Sequence, residues 1–464
     1  MRLAPDTVSL LPASVQHPQY RRENCGTGIV HLGIGAFHRA HQAVYVDDAL
    51  SRFGGDWRIV GVSLRSSAVR EQLAPQDGLY TLVVRDGDQT NERLIGAVAR
   101  VLVASEGPAA VISALADPAT HIVTLTVTEK GYCLDPATGE LDFANPQIIN
   151  DLKNIDSPQS AIGFLAAGCA ERMGAGLPGL TIMSCDNLPG NGQLLKRAVM
   201  AFAERLAPPL ATWIASHCRF PATMIDRIVP ATTDEDRTLL EQRIGLHDAA
   251  MVKAEPFSQW VIEDDFAGPR PAFEQVGAQL VADVTPFELA KLRMLNGSHS
   301  ALAYLGLARG HAFVHQAIAD PLIASVIDRL MEEAAATLPV VPGLDPAAYA
   351  AALKARFDNS ALQHRLAQIA MDGSQKLPQR LLGTIRDRHA AGCSAAAAII
   401  GVRAWIDHFA SDFVDDPMAE RLREIGRLPR AERITAALGL REVFGDLGDK
   451  AWFAEALNAE QEVL

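Results

Sequence analysis

Four short runs of apolar and β-branched residues, separated by stretches of helical character, constrain the fold of the first half of the chain. The runs span residues 28–33, 57–62, 121–127 and 180–184. Continuous apolar strands between helices predict a parallel sheet that helices cover on both faces. Strand signals fade near residue 286, where Ala- and Leu-rich helical periodicity begins. The sequence thus predicts an α/β protein: a Rossmann-type, doubly wound parallel sheet in residues 1–285 and a mostly α-helical domain in residues 286–464.

The charge of the chain limits its partners. The 464 residues include 42 Lys plus Arg and 55 Asp plus Glu, which gives a net charge of −13. An acidic protein is poorly suited to bind nucleic acid or an anionic membrane, so a small-molecule partner is expected. The N-terminal residues lack a signal-like apolar core, and no apolar run reaches 18 residues. These features favour a cytoplasmic location.

The cysteines do not form a recognisable framework. Six are scattered along the chain without a C-x-x-C pair. This spacing argues against a set of disulfides and against a structural zinc site. We therefore expect reduced thiols and no metal.

A glycine-rich turn follows the first apolar run and is the candidate cofactor site. Two glycines separated by one residue permit a tight turn and a close approach of the backbone to a pyrophosphate. The residues predicted to contact a dinucleotide here are Gly33, Gly35, Ala36, Phe37 and His38. His38 stands where the usual fingerprint has its third glycine. His38 and His41 also have the spacing of a metal pair, but no carboxylate or thiol completes a set, and polar residues at a helix start remain the alternative.

The end of the second apolar run bears on the choice of dinucleotide. An acidic residue at this place would bind the ribose hydroxyls of NAD. The chain instead has Arg65, Ser66 and Ser67, groups able to receive the 2′-phosphate of NADP. Arg65 facing adenine or solvent is the alternative, and the sequence leaves NAD and NADP open.

Two polar segments follow later strand runs. Glu129 comes after the third run and Asn187 after the fourth, which places both at the carboxyl edge of the predicted sheet, where doubly wound proteins bind ligands. Both segments also contain common turn formers, so a purely local turn role stays open for each.

The stretch of residues 291–299 carries the catalytic candidates. As an α-helix that begins with Thr285 as N-cap, it places Lys291, Asn296 and His299 within about 140° of one another, with Glu288 on the same face. The alternatives are a solvated polar stripe and, for Glu288, the closing of a capping box. Apolar residues on both sides argue for burial, and buried polar groups need partners. An amine, an amide and an imidazole together suit proton transfer at an alcohol or ketone.

Several long motifs, taken together, resemble one enzyme family. They are residues 29–41, 126–132, 183–187, 224–230 and 291–299. In these motifs, and over nearly the whole chain, the sequence resembles the polyol-specific long-chain dehydrogenases, the mannitol dehydrogenase family. The resemblance implies a Rossmann domain, a helical C-terminal domain, and metal-independent hydride transfer with NAD or possibly NADP.

The family resemblance also implies roles for individual residues. Lys291 matches the general acid/base of the family. Asn187 and Asn296 match the amides that hold the reacting oxygen, and His299 matches a group that orients the substrate. A lysine has an ordinary pKa of ~10.4, so proton transfer near neutral pH requires an environment that lowers it.

Four further residues have implied roles around the substrate. Glu288 matches a carboxylate associated with proton passage, and Asp226 matches a position near the substrate. Within residues 368–380, the chain is more similar to fructuronate reductases than to mannitol dehydrogenases, and Lys376 and Arg380 are suited to a substrate carboxylate. A surface ion pair is the alternative for these two cations.

The expected activity is therefore NAD(P)-dependent interconversion of a keto-sugar or keto-uronate with its secondary alcohol. Fructuronate reduction, the mannonate oxidoreductase reaction, is favoured. Mannitol 2-dehydrogenase activity is the rival, and a catalytically silent dinucleotide sensor is the alternative from another class. The partner is a small sugar alcohol or sugar acid, and a monomer is favoured because monomers occur in the family.

Overall fold

The computed structural model describes residues 1–459 and divides into two compact units. The first unit comprises Met1–Val284 and the second Thr285–Leu464. Each unit has its own apolar core, which agrees with the change from strand-rich to helix-rich sequence.

All named strands of the described chain lie in the first unit. They are β1 (Thr27–Leu32), β2 (Arg58–Ser63), β3 (Tyr80–Asp86), β4 (Gln89–Ile95), β5 (Val98–Val103), β6 (Ile122–Leu125), β7 (Thr181–Ser184), β8 (Thr223–Asp226), β9 (Val252–Ala254), β10 (Gln259–Glu263) and β11 (Gln279–Val281).

Nine α-helices accompany these strands among the described residues of the first unit. They are α1 (Ala36–Ala40), α2 (Gln42–Phe53), α3 (Ala68–Leu73), α4 (Pro108–Ala116), α5 (Pro146–Lys153), α6 (Ala161–Gly174), α7 (Asn191–Leu206), α8 (Pro208–His217) and α9 (Asp234–Ile244). Short 3₁₀ turns lie at Val8–Leu10, Arg22–Asn24, Ala74–Gln76, Glu129–Tyr132 and Phe273–Val276.

The main sheet has the predicted doubly wound form. Its five strands are parallel and follow the order β5-β2-β1-β6-β7. The order reverses between β1 and β6, because the chain moves outward from β1 in one direction and later from β6 in the other. In such sheets the crevice outside the carboxyl ends of the two strands at this switch point binds ligands.

Two smaller sheets complete the first unit and were not predicted. One has the order β4-β3-β9, and its β3–β4 pair is an antiparallel hairpin. The other has the order β11-β10-β8. Trp260 on β10 is buried in the core of the first unit.

The second unit is helical throughout its described part. Its α-helices are α10 (Thr285–Ala290), α11 (Gly297–Ala308), α12 (Val314–Ala319), α13 (Pro321–Ala335), α14 (Pro346–Asp358), α15 (Leu366–Ala370), α16 (Gly373–Leu377), α17 (Gly383–Ala390), α18 (Ala396–His408), α19 (Ala419–Gly426), α20 (Arg430–Leu438), α21 (Arg441–Phe444) and α22 (Ala451–Ala459). Short 3₁₀ turns lie at Ser360–Leu362 and Gly445–Asp449.

Two π-helical segments interrupt long helices of this unit. The first, π1, is Lys291–Asn296 and joins α10 to α11; the second, π2, is Pro378–Leu382 and joins α16 to α17. Gly297, which follows π1, faces π2 so closely that a Cβ would lie 3.0 Å from the Arg380 carbonyl oxygen. The two irregular segments therefore pack directly against each other.

The described residues include no helix that is both long and apolar enough to cross a membrane. All six cysteines are free thiols, as expected, and four of them are buried.

Candidate functional site

The turn after β1 has the backbone shape that its glycines predict. Gly33 has a φ of +98°, and a Cβ there would lie only 2.1 Å from the Thr126 carbonyl oxygen at the end of β6. Gly35 is exposed, and a Cβ there would meet nothing nearer than the Gly33 oxygen at 3.8 Å. Gly33 is thus required for the turn itself, whereas Gly35 keeps open the space in front of α1.

The first turn of helix α1 borders that open space. Ala36 and Phe37 are half-buried, and the first amide groups of any helix lack intrahelical acceptors. Together with Gly35, this end of the helix fits the pyrophosphate of a dinucleotide. The helix ends after only five residues, at His41, where the backbone turns into α2.

The two histidines of this segment have different surroundings. His38 is buried and stacks on His31 with ring centres 3.4 Å apart. Burial, with the adjacent His31 and Arg39, holds the pKa of His38 well below its ordinary value. His41 instead places Nε2 2.8 Å from the Gln259 carbonyl oxygen. The His38 ring thus lies inside the unit, and the alternative of a shared metal site for His38 and His41 finds no support.

The carboxyl end of β2 carries no acidic residue at positions 63–68. Arg65 is exposed there, and its carbonyl oxygen accepts a hydrogen bond from Ser105 Oγ at 3.3 Å. Ser67 Oγ donates to Glu71 Oε1 at 2.6 Å, one helical turn into α3. Arg65 therefore lies two residues beyond the carboxyl end of β2, the edge at which the ribose of a dinucleotide binds in sheets of this type.

Glu129 and Asn187 both lie at the carboxyl edge of the main sheet, as predicted. Glu129 begins the 3₁₀ turn after β6, and Asn187 follows β7; both are exposed. A side chain that the sequence pattern does not single out holds the two segments together. Asp186 accepts hydrogen bonds from the backbone amides of Val127 and Thr128, each at 2.9 Å.

A second side chain fixes the neighbouring edge. Asn191, wholly buried at the start of α7, donates from Nδ2 to the carbonyl oxygens of Asp186 at 3.1 Å and Thr223 at 2.8 Å. Thr223 opens β8, whose last residue is the buried Asp226. Asn191 therefore links the Asn187 segment to the strand that ends in Asp226.

The catalytic candidates of the second unit fall on π1 and the turn that follows it. Lys291 is the first residue of π1 and Asn296 the last, and both are half-buried, while His299 is buried on α11. The burial of His299 argues against a solvated stripe, whereas Lys291 and Asn296 are partly accessible to solvent. The prediction of an uninterrupted α-helix is wrong here, because the i→i+5 bonding of π1 widens the turn and the α-helical angles between these residues do not apply. Helix α10 also begins at Thr285 itself, and Glu288, one turn before Lys291, is half-buried.

His299 is a buried, neutral imidazole. Its ring centre lies 4.9 Å from Phe357 and 5.2 Å from His364, and Nε2 has no hydrogen-bond partner in the described part of the chain. Burial lowers the pKa of His299 well below its ordinary value, and nearby His364, Arg356 and Arg380 add to the effect. A neutral ring with an unused nitrogen is equipped to hydrogen-bond a substrate hydroxyl.

Arg380 lies on π2, against the segment that carries Asn296. Its Nη1 donates to Ser300 Oγ at 3.2 Å and to the Asn296 carbonyl oxygen at 3.5 Å. Within residues 1–459 it makes no ion pair with a carboxylate. Burial lowers the pKa of Arg380 from its ordinary value. The surface-ion-pair alternative therefore fails for this residue.

Lys376 lies one turn before Arg380, at the N-terminal end of the same interrupted helix. Its Nζ donates to the Met371 carbonyl oxygen at 2.5 Å and lies 3.7 Å from Asp372. Partial burial lowers the pKa of Lys376, and the charge of Arg380 lowers it further. Two cations thus lie on one face, and within the described part of the chain only Lys376 has an acidic neighbour.

Among the described residues, no group of three or more His, Cys, Asp or Glu side chains is arranged to hold a metal ion.

Models of two protein domains match consecutive parts of the chain. The mannitol dehydrogenase Rossmann domain matches residues 27–275, and the mannitol dehydrogenase C-terminal domain matches residues 283–464. Together they cover almost the whole sequence.

Individual proteins are similar over nearly their full lengths. D-mannonate oxidoreductase of Escherichia coli is 43% identical over 464 residues, covering 97% of this chain and 96% of its own. Mannitol 2-dehydrogenase of Phaeosphaeria nodorum is 40% identical, covering 96% and 81%. The structure of Pseudomonas fluorescens mannitol 2-dehydrogenase in a ternary complex with NAD and D-mannitol superposes with a TM-score of 0.82 at 39% identity, covering 99% of this chain and 96% of the other.

Proposed function

The chain belongs to the mannitol dehydrogenase family of oxidoreductases, and on that premise we propose that it interconverts a keto-uronate and its alcohol, as a fructuronate reductase does. The observation that carries this choice is Arg380, a half-buried arginine without a carboxylate partner among the described residues. A buried cation without a counter-ion is costly, and a bound anion relieves that cost. A uronate brings such an anion; a neutral polyol does not.

The geometry of Arg380 supports recognition of a carboxylate. A guanidinium has five N–H donors in a planar fork, and Nη1 is the nitrogen that donates to Ser300 and Asn296 among residues 1–459. Lys376 supplies a second positive charge nearby, partly balanced by Asp372. We assign the substrate carboxylate to Arg380, with Lys376 and Asp226 contributing to the binding of the rest of the sugar acid.

The proton chemistry is assigned to the residues of π1. In the reducing direction, the carbonyl carbon gains a hydride and its oxygen gains a proton. Lys291 is the acid that donates this proton, and it acts as the base in the reverse reaction. The amides of Asn187 and Asn296 donate hydrogen bonds to the same oxygen, and each such donor contributes roughly 3 kcal/mol where water is excluded. His299 orients the substrate through its unused nitrogen, and Glu288 passes protons between Lys291 and solvent.

A nicotinamide dinucleotide supplies or accepts the hydride when it is bound. The residues proposed to hold it are those that shape the turn and its surroundings: Gly33, Gly35, Ala36, Phe37, His38, Arg65 and Glu129. His38 contributes through its backbone, since its ring faces the interior.

We propose NAD as the cofactor, as in the Pseudomonas fluorescens complex. NADP is the alternative, because Arg65 stands at the end of β2 where an acidic residue would select NAD. An Arg65→Ala variant separates the two: it should raise KM for NADPH and leave KM for NADH nearly unchanged if Arg65 receives a 2′-phosphate.

The test of the proposed function is oxidation of NADH and of NADPH by the purified protein with fructuronate, tagaturonate, fructose and xylulose in parallel. A uronate should be the preferred substrate. Preference for fructose would instead identify a mannitol 2-dehydrogenase. Failure to turn over any of the four would favour the silent dinucleotide sensor.

An Arg380→Gln variant links the preference to the guanidinium. It should raise KM for the uronate by about tenfold or more, the loss expected for a charged hydrogen bond, and change KM for fructose far less. Arg441→Gln is the matched control, because Arg441 is an exposed arginine of the same unit paired with Asp449. Equal effects of Arg380→Gln on both substrates would contradict the assignment.

A further inference from the structure

The turn between β6 and the following 3₁₀ helix contains a strained residue. Thr128 has φ 64° and ψ 166°, a region of the backbone map that glycine occupies and other residues avoid. For a β-branched residue this conformation costs about 1–3 kcal/mol. Other interactions must therefore hold the turn in place.

The side chain of Asp186 provides these interactions. Its two carboxylate oxygens accept hydrogen bonds from the amides of Val127 and Thr128, each at 2.9 Å, so that each amide at the strained turn has its own acceptor oxygen. Tyr132 donates its hydroxyl to Asp186 Oδ2 at 2.7 Å and lies 2.5 Å from Ser184 Oγ. Burial and the charge of Asp186 raise the pKa of the Tyr132 phenol well above its ordinary value, which keeps the hydroxyl protonated as a donor.

The strained turn lies at the switch point of the main sheet. Thr126 Oγ1 donates to the Gly33 carbonyl oxygen at 2.8 Å, and the Thr126 carbonyl oxygen occupies the space that a Cβ of Gly33 would need. The turn is therefore packed against the glycine turn assigned to the dinucleotide. Glu129 follows the strained residue directly, and Asn187 follows Asp186.

We propose that Asp186 is a positioning residue that ties the Thr128 turn to the end of β7 and thereby fixes Glu129 and Asn187 relative to the glycine turn. The inference rests on the proposed function, because it concerns residues assigned to that site. A carboxylate is required because both amides point at it. An asparagine side chain keeps one acceptor oxygen but directs an NH₂ group at the other backbone N–H.

Hydrogen exchange tests, independently of activity, whether Asp186 holds the Thr128 turn. In Asp186→Asn, amide exchange in peptides covering residues 126–132 should accelerate by about tenfold or more, as expected for the loss of a charge-assisted hydrogen bond. Asp142→Asn is the matched control, since the Asp142 side chain accepts the amide of Ala144 within a local turn of the same unit; it should leave exchange in residues 126–132 unchanged. Unchanged exchange in Asp186→Asn overturns the inference.

Kinetic measurements test whether the hydrogen bonds of Asp186 affect catalysis. Asp186→Asn should lower kcat by about 100-fold, the loss expected for a misplacement of about 1 Å, and Tyr132→Phe should lower it less. Adding Thr128→Gly to Asp186→Asn should restore part of kcat, because glycine adopts φ 64° without strain. A merely structural role would show as reduced thermal stability with kcat unchanged in the folded protein, and that result contradicts the inference.

The two failures are distinguishable. A wild-type protein that turns over none of the sugar substrates overturns the proposed function. The hydrogen-exchange comparison then still decides whether Asp186 holds the turn.

Discussion

The carboxyl edge of the main sheet and the π1 segment both carry proposed catalytic groups, yet they are shaped by different means. At the sheet edge, regular strands end and individual side chains hold the loops. Asp186 accepts a hydrogen bond from the backbone after β6, and Asn191 donates one to the backbone after β7. In the second unit the backbone itself is irregular, and Lys291 and Asn296 lie at the two ends of one widened helical segment.

This difference indicates which substitutions should disturb each region. The sheet edge depends on a few side-chain acceptors and on glycines without space for a Cβ. The π1 segment depends on its neighbour π2, which packs on Gly297 and includes Arg380. Perturbations should therefore act locally at the sheet edge, whereas in the second unit a change in π2 should also affect the residues of π1.

The largest effect is expected from removal of the proposed acid/base. Lys291→Ala should lower kcat by about 10³-fold, within the usual range for general acid–base catalysis, and leave NADH binding intact in a fluorescence titration. Lys354→Ala is the control, because Lys354 forms an exposed ion pair with Asp328 in the same unit. Unchanged turnover in Lys291→Ala would show that Lys291 is not the acid/base and would contradict the catalytic role proposed for this end of π1.

Next in size is the glycine turn of the sheet edge. Gly33→Ala combines a positive φ with a Cβ 2.1 Å from the Thr126 oxygen, so it should lower the free energy of unfolding by about 2–4 kcal/mol and weaken NADH binding. Gly139→Ala also has a positive φ but nothing within 4 Å, and should cost only about 1 kcal/mol. Equal losses in chemical denaturation would show that the close approach to Thr126 is unimportant.

A smaller effect is expected where π1 meets π2. In Gly297→Ala the added methyl group lies 3.0 Å from the Arg380 carbonyl oxygen, which should cost about 1–2 kcal/mol of stability and lower kcat through Asn296. Gly174→Ala, at the end of α6 with open space around it, should be neutral or slightly stabilising. If Gly297→Ala lost stability but kept kcat, the packing of π2 on π1 would have no catalytic role.

The last effect concerns pH and involves both units. Burial lowers the pKa of His31 to about 3 and holds that of His299 well below its ordinary value. The unfolded chain then binds more protons than the folded one below the ordinary pKa of 6.5. The free energy of unfolding should therefore keep its full value above pH 6.5. It should fall as the pH decreases, by about 2 kcal/mol per buried histidine at pH 5.

Urea denaturation at pH 7.5 and 5.0 measures this dependence. His299→Asn and His31→Asn should each reduce the difference between the two pH values by a similar amount. A difference that only the His31 variant reduces would place the acid sensitivity in the first unit alone.

Much of the fold was visible in the sequence because it rests on local patterns. The four apolar runs became β1, β2, β6 and β7 of one parallel sheet, and the helical character of the second half is confirmed. The β3–β4 hairpin was missed, because the first five residues of β4 are all polar and give no apolar run. The π1 segment was also missed, because the α- and π-helical forms share the same apolar pattern and differ only in which carbonyl each amide reaches.

The predicted site residues lie at strand ends and on helices, as their positions in the sequence indicate. The side chains that hold them in place could not be predicted from the sequence. Asp186 is an ordinary turn former in sequence, and its role depends on Val127 and Thr128, nearly sixty residues away. Arg380 was suspected from its charge, whereas its missing counter-ion is a property of its surroundings.

The sequence by itself determined four strands of the main parallel sheet, the helical character of the second unit and the glycine turn, since these follow from side-chain chemistry and short-range periodicity. Only the tertiary structure decided the strain at Thr128, the pairing of π1 with π2 and the neutral state of His299. Each of these arises from contacts between distant segments, and the energies of burial and of long-range hydrogen bonds are not encoded in any local window of residues.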